Sequence, residues 1–245
     1  MVLVYGALLL VTLIYGANYT IAKYVVPLHL LPLAFVVVRV SVSSVLFWAI
    51  GTTGPSEKVS RQDHWLLIKC ALFGTALNQF LFFKGLSLTT PIHASLIMTM
   101  TPIVVILVAA FMGQEKLTWQ KLVGTLIGFV GVILLLTKDG VSLAEGTFTG
   151  DIFILLNGST YAIYLVWVKP LMRRYHHFTI LKWIFLYGAL MMTPLGLPGL
   201  LEADWPAFET QTWLSLSYVV LATTFFVYLA NVWALRYVDS SGVGI

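Results

Sequence analysis

Charge is what this sequence has least of. Only 10% of its 245 residues are Asp, Glu, Lys or Arg, against roughly 25% in an ordinary water-soluble domain. So few charges cannot cover a water-facing surface, which excludes a soluble globular protein. Cysteine is nearly missing as well. Cys70 stands alone in an apolar stretch, so it forms no intrachain disulfide and reads as a packing residue. The motifs of enzymes are lacking: there is no GxSxG, HExxH, P-loop or Cys pair. His176 and His177 have no third ligand at helical spacing, and His29, His64 and His93 are scattered at loops or helix ends. The chain thus offers no metal site, cofactor site or ATP-driven pump, and it reads as a non-enzyme. There is no Lys/Arg-rich run, which excludes a nucleic-acid partner. The net charge of +4 then reports on topology and lipid instead. The basic n-region of a signal peptide is absent too. The first apolar run continues to Ala22 and reads as a helix that stays in the protein.

What is present is apolar length. Hydrophobic residues make up 59% of the chain, and a membrane-spanning helix needs about 20 of them in succession. Apolar runs fall at about 2–22, 32–50, 65–86, 93–112, 119–137, 150–169, 178–198 and 213–236. The breaks carry Pro, Gly and charge, as at Pro27, Gly54-Pro55, Thr90-Pro91, Asp139-Gly140 and Pro206. The class is an all-α polytopic membrane protein with about eight helices. Arg39 interrupts the second run, and Pro194 with Pro198 is expected to end the seventh early. Basic residues in short loops set orientation. One side collects Lys58, Arg61, Lys69, Lys116, Lys121, Lys169, Arg173, Arg174, Lys182 and Arg236, while the other has Lys23, Lys84 and Lys138. The expected location is the cell membrane (plasma or inner), multi-pass, with a cytoplasmic N-terminus.

A weak internal repeat organises the runs. Tyr15-Gly16-Ala17-Asn18-Tyr19, followed by Lys23, matches Tyr161-Ala162-Ile163-Tyr164-Leu165, followed by Lys169, at an offset of 146. Gly85 to Thr90 matches Ala234 to Asp239 at an offset of 149. Five helices per unit is an odd number, so the second copy would enter the membrane from the opposite face. Inverted repeats of this kind build many secondary transporters, with the solute site near the midplane. The expected units are 1–137 and 138–245. The second is expected to be cut short, because Asp239-Ser240-Ser241-Gly242 reads as the start of a ninth helix and Ile245 ends the chain.

Several motifs carry a family likeness. They are Ala94-Ser95-Leu96 through Pro102, then Gly113-Gln114-Glu115-Lys116-Leu117-Thr118, then Gly124, Gly128 and Gly131, together with Tyr15-Gly16-Ala17-Asn18. The sequence resembles the drug/metabolite transporter superfamily, and within it the ten-helix EamA family. The resemblance implies a secondary transporter, importing or exporting an amino acid, metabolite or drug, and leaves the solute open.

Polar and aromatic residues recur at helical spacing inside four of the runs. They are Thr12, Tyr15, Asn18 and Tyr19; Thr75, Asn78, Gln79 and Phe82; Asn157, Tyr161 and Tyr164; and Thr224, Tyr228 and Asn231. Spacing of i, i+3/i+4, i+7 puts each set on one face, and polar faces in a bilayer turn inward. Any one of them can serve interhelical hydrogen bonding alone, worth about 1 kcal/mol. The four together favour a shared cleft in which the Asn and Gln residues bind a small-molecule solute and the tyrosines shape it. In the fourth run, Met98-Thr99-Met100-Thr101-Pro102 interrupts the helix: proline withholds an N–H, which leaves a carbonyl for Thr, water or solute. Met98 and Thr101 therefore join the candidate site, with Pro102 as a gating kink, a plain packing kink being the alternative.

Arg39 is expected to snorkel to the interface, ahead of pairing with an acid or an anionic solute. Lys23, Lys69 and Lys84 are expected to snorkel as well. No Asp or Glu lies mid-helix, so no proton relay is visible, and Glu115 reads as a loop residue. Gly124, Gly128 and Gly131 form a small-residue face that suits intramolecular packing or a homodimer. An intramembrane enzyme, a lipid-handling protein or a scaffold subunit remains the rival to a transporter. The topology has a direct test. A reporter fused after Glu145 is expected to be active only in its extracytoplasmic form, and cytoplasmic activity there would reverse the orientation.

Overall fold

The computed structural model describes residues 2–52, 54–113, 118–120, 123–124, 126–127, 130–131, 134, 147–234 and 237. The expectations for Glu115, Gly128, most of the fifth run and the Asp239–Gly242 segment lie outside the described residues. So do those for Lys116, Lys121, Lys138, Glu145 and Arg236.

The first helix, α1 (Val2–Val25), is apolar throughout. The second, α2 (Pro32–Gly51), opens on Pro32, whose fixed φ and missing N–H suit a first helical position. Ser60 starts α3 (Arg61–Ala71) by accepting the Asp63 backbone N–H. A π-helical turn, Leu72–Ala76, joins α3 to α4 (Leu77–Leu88). Thr90 caps α5 (Pro91–Met98), and α6 (Thr101–Phe111) ends at Gly113, whose φ of 69° closes the helix in the left-handed region. Next come α7 (Phe148–Met172) and α8 (His177–Leu201). In the last span, α9 (Thr210–Tyr218) leads through a longer π-helical stretch, Val219–Phe226, into α10 (Val227–Ala234).

Among the described residues this makes seven helical spans long and apolar enough to cross a membrane. The protein is an all-α polytopic membrane protein. Large apolar side chains stand out from the bundle, including Leu3 at 75% exposure and Phe111 at 94%. On a soluble protein such a surface would drive association; in a bilayer it meets lipid.

Two expectations about helix ends change. The seventh run does not stop at its prolines, for α8 continues through Pro194 and Pro198 to Leu201. Gly196 explains how the helix holds there. A Cβ on it would come within 2.6 Å of the Leu33 carbonyl oxygen, so α8 is pressed against the start of α2. The fourth run does break, one step before its proline. Thr99 and Met100 form a turn in which the Met100 N–H donates to the Ile97 carbonyl at 3.0 Å, and α6 restarts at Thr101.

The bundle is built on close helix pairs, with α2 along α8 and both α4 and α6 along α7. Phe35, Phe47, Phe83 and Phe185 are fully buried, and Phe35 meets Phe83 edge-on at 4.7 Å. At one end Gly85 and Gly150 bring α4 and α7 into backbone contact. A Cβ on Gly150 would lie 2.8 Å from the Gly85 oxygen and from the backbone of Leu88 and Thr89. Backbone cannot yield cheaply, so Gly150→Ala is expected to cost about 1–3 kcal/mol through overpacking. Thermal unfolding in detergent checks this; an unchanged midpoint would show that the helices part freely.

Candidate functional site

The two π-helical stretches lie inside the membrane spans, and each bonds to one cluster of side chains. Such turns loosen the i→i+4 ladder and mark functional places in many helices. Here the Gly74 carbonyl, inside the first stretch, accepts from the Tyr228 hydroxyl of α10 at 2.5 Å. A Cβ on Gly74 would collide with the Tyr164 ring, so glycine is what lets Tyr164 lie flat against this turn. In the second stretch, Thr224 donates to the Val219 carbonyl at 2.8 Å and accepts from Arg39 Nε at 2.8 Å.

Arg39 is the centre of the cluster. It is 4% exposed, so it does not snorkel to the interface as its sequence position suggests. Its guanidinium sits over the Phe83 ring at 4.5 Å and the Phe35 ring at 5.9 Å, and the Tyr15 and Tyr228 hydroxyls lie within its electrostatic reach. Among the described residues it meets no carboxylate. A cation at membrane depth costs roughly 2.5–3.5 kcal/mol, and cation–π contact offsets up to about 2 kcal/mol of that.

Tyrosines continue the cluster. Tyr161 and Tyr164 have ring centroids 5.7 Å apart, Tyr164 and Tyr228 6.3 Å, and Tyr228 and Phe185 5.0 Å. Asn231 donates to the Tyr161 hydroxyl at 2.9 Å, and Tyr15 approaches Tyr161 from α1. Gln79 sits beside the Tyr228 hydroxyl without well-formed hydrogen-bond geometry, and both its amide atoms are buried without a partner. The Tyr164 hydroxyl and the Oδ1 atoms of Asn18 and Asn231 are buried and unpartnered too. In most native interiors such groups are satisfied, and these four residues lie on α1, α4, α7 and α10, which makes their faces the candidate site.

The structure thus gathers Tyr15, Gln79, Tyr161, Tyr164, Tyr228 and Asn231, with Asn18 one turn from Tyr15 on α1. Asn78 and Asn157 do something different. Asn78 Nδ2 donates to the Asn157 carbonyl at 3.1 Å, and Asn157 Nδ2 donates to the Asn78 carbonyl at 2.8 Å. This reciprocal clamp fastens α4 to α7, because each side chain reaches the partner's backbone. Met98 and Thr101 lie near the clamp. Thr101 Oγ1 is 3.8 Å from Met98 Sδ and faces Gly158, next to Asn157. Pro102 begins the helix after the break. Thr12 turns outward and bonds its own helix at the Leu8 carbonyl.

Sequence reasoning missed a latch at each end of the bundle. At one end His93 Nδ1 lies 3.1 Å from Asp151 Oδ2, and Thr89 donates to Asp151 Oδ1 at 2.5 Å. Lys23 does not snorkel there; its ammonium caps α4 by donating to the carbonyls of Leu86, Ser87 and Thr89 at 2.6, 3.1 and 2.8 Å. At the other end Arg174 pairs with Asp63 at 2.5 Å, and the Tyr175 hydroxyl donates to Asp63 at 2.7 Å. The Ser60-x-x-Asp63 spacing signals a helix cap in the sequence, but nothing local announces a partner more than 100 residues away.

The model of the EamA-like transporter family matches residues 2–137 and 148–245. The chain belongs to this family. Among curated relatives of this EamA-like protein, an uncharacterized transporter of Archaeoglobus fulgidus is 27% identical over 82% of the chain and 67% of its own length. A second uncharacterized transporter of that organism is 23% identical over 94% of the chain and 80% of its own length. A WAT1-related protein of Arabidopsis thaliana is 29% identical over 54% of the chain but 36% of its own length. A crystal structure 20% identical in sequence superposes with a TM-score of 0.69, covering 99% of this chain and 81% of that one, and shows the same fold. The family and its relatives make this EamA-like chain a transporter.

The clamp has its own test. Asn78→Ala and Asn157→Ala are each expected to lower unfolding stability by about 1 kcal/mol, measured by denaturation in detergent. Stability left unchanged would return both residues to the polar face of the cluster.

Proposed function

We propose that the protein is a secondary transporter moving a small organic solute across the cell membrane by alternating access. One observation carries this reading: a buried aromatic and amide cluster, rich in unpartnered polar groups, lies between two polar latches, His93–Asp151 and Asp63–Arg174, at opposite ends of the bundle. A site closed at both ends is what an occluded intermediate requires. Opening the His93–Asp151 latch would admit solute from one side, and opening Asp63–Arg174 would release it on the other.

In this reading the chain is made of two inverted units, 1–137 and 138–245, with the N-terminus in the cytoplasm. Several features support it. Moved by the offset of 149, the π-helical turn Leu72–Ala76 falls inside Val219–Phe226. The repeat-related pairs Tyr15 with Tyr161 and Gln79 with Tyr228 are neighbours in space. Contacts between equivalent residues are what a two-fold axis through the cluster produces. Tyr15, Asn18, Gln79, Tyr161, Tyr164, Tyr228 and Asn231 would face the solute. The Asn78–Asn157 clamp would hold the units together, and the break at Met98–Pro102 would act as a hinge.

Counterflow in proteoliposomes across a broad metabolite panel tests the proposal. Asn18 Oδ1 has no protein partner, so Asn18→Ala is expected to leave folding intact. It should raise the half-saturating solute concentration by roughly three- to tenfold, as loss of one hydrogen bond does. Absence of flux for the whole panel, alongside turnover of a membrane lipid, would replace the transporter with an intramembrane lipid enzyme.

A further inference from the structure

The cluster holds a cation that meets no anion among the described residues. The Arg39 guanidinium has five N–H donors, and a single one is used, in the Nε bond to Thr224 at 2.8 Å. Its two terminal nitrogens have no acceptor among the described residues, although the residue is 4% exposed. The rings of Phe83 and Phe35 cover one part of it, and the Tyr15 and Tyr228 hydroxyls lie close by. The described acids are Glu57, Asp63, Asp151, Glu202, Asp204 and Glu209, and each sits at a helix end or in a loop. Asp63 and Asp151 are already engaged in the two latches. None of the described acids therefore supplies counter-charge to Arg39.

We infer that the transported solute is an organic anion whose carboxylate binds the terminal nitrogens of Arg39, with its apolar body against the surrounding tyrosines. This rests on the transport reading given above. The chemistry selects a carboxylate on three grounds. The planar guanidinium fork matches a carboxylate in bidentate fashion. One cation balances one negative charge, whereas a phosphate dianion calls for a second, and Arg39 is the only Lys or Arg described within the cluster. An amino acid would bring an ammonium as well, and no described acid is there to meet it. Gln79 Nε2, buried and unpartnered beside Tyr228, supplies a further donor to the same anion.

Acid and amide pairs of one shape give a direct test on the purified protein. Benzoate and hexanoate are expected to raise its thermal midpoint in detergent, while benzamide and hexanamide leave it in place. Arg39→Gln should weaken carboxylate binding by roughly tenfold or more, the loss typical of a charged hydrogen bond. Arg39→Lys should fall between the two, because it keeps the charge and loses the fork. Should Arg39→Gln fail to fold, the comparison of acid with amide on the wild-type protein decides. Amides that bind as tightly as the acids, or phenyl phosphate that binds more tightly than benzoate, would overturn the assignment. Binding is read here without flux, so the two readings fail separately. Neutral or cationic solutes whose flux survives Arg39→Gln would overturn the anion and keep the transporter. Carboxylate binding lost in Arg39→Gln, with no wild-type flux for any solute, would keep the anion site and remove transport.

Discussion

Between the two faces of this bundle every polar group depends on the protein for a partner, because hydrocarbon supplies none. That constraint sorts the polar residues of the spans into two populations. One is engaged in holding helices together. Asn78 and Asn157 exchange backbone bonds across α4 and α7, Lys23 gathers three carbonyls at the end of α4, and Tyr218 donates to the Ile14 carbonyl of α1 at 3.0 Å. The other population, around Arg39, is buried to the same degree yet only partly satisfied. Burial without satisfaction is costly in an apolar interior, and folding alone gives no reason to retain it.

The scaffold around that cluster is stiff where it must hold and interrupted where it can move. Gly85 against Gly150 and Gly196 against Leu33 set helices at backbone contact, which makes α4–α7 and α2–α8 act as paired units. The interruptions fall elsewhere, at Thr99–Met100 and at the two π-helical stretches. Paired rigid helices joined by local breaks in the hydrogen-bond ladder are the ingredients of rocking motion, because packed cores switch between discrete arrangements and do not deform continuously. The polar latches at either end are suited to bias such a switch. Each joins chain segments far apart in sequence and pairs a buried member, His93 or Asp63, with a more exposed one.

Much of this is legible in the sequence, and the limits follow from range. Composition alone gives the all-α membrane class, and apolar runs locate the spans described. The inward faces carrying Tyr15, Gln79, Tyr161, Tyr228 and Asn231 follow from helical periodicity, which is a local property. Periodicity does not tell which inward polar groups satisfy one another. Asn78 and Gln79 are adjacent in the chain, yet one is locked to Asn157 and the other is free. The fate of Arg39 was illegible for the same reason. Seven residues from a helix end, snorkelling is the local solution, and only the tertiary position of Phe83 and Thr224 draws the side chain inward. The continuity of α8 through Pro194 and Pro198 likewise depends on α2 pressing against Gly196.

The two-repeat reading explains why the unsatisfied groups lie where they do. If a two-fold axis passes between Tyr15 and Tyr161 and between Gln79 and Tyr228, exchanging the conformations of the two units leaves those pairs facing each other. Residues on the axis keep their neighbours while residues far from it, such as Asp63 and Asp151, change theirs. A solute site belongs on the axis and gates belong away from it. Such an axis would also isolate Arg39, for its repeat-related position, Phe185 at the offset of 146, supplies no second cation. In that reading an asymmetric charge inside a symmetric pocket would hold a bound solute in one orientation, whichever face of the membrane it arrived from.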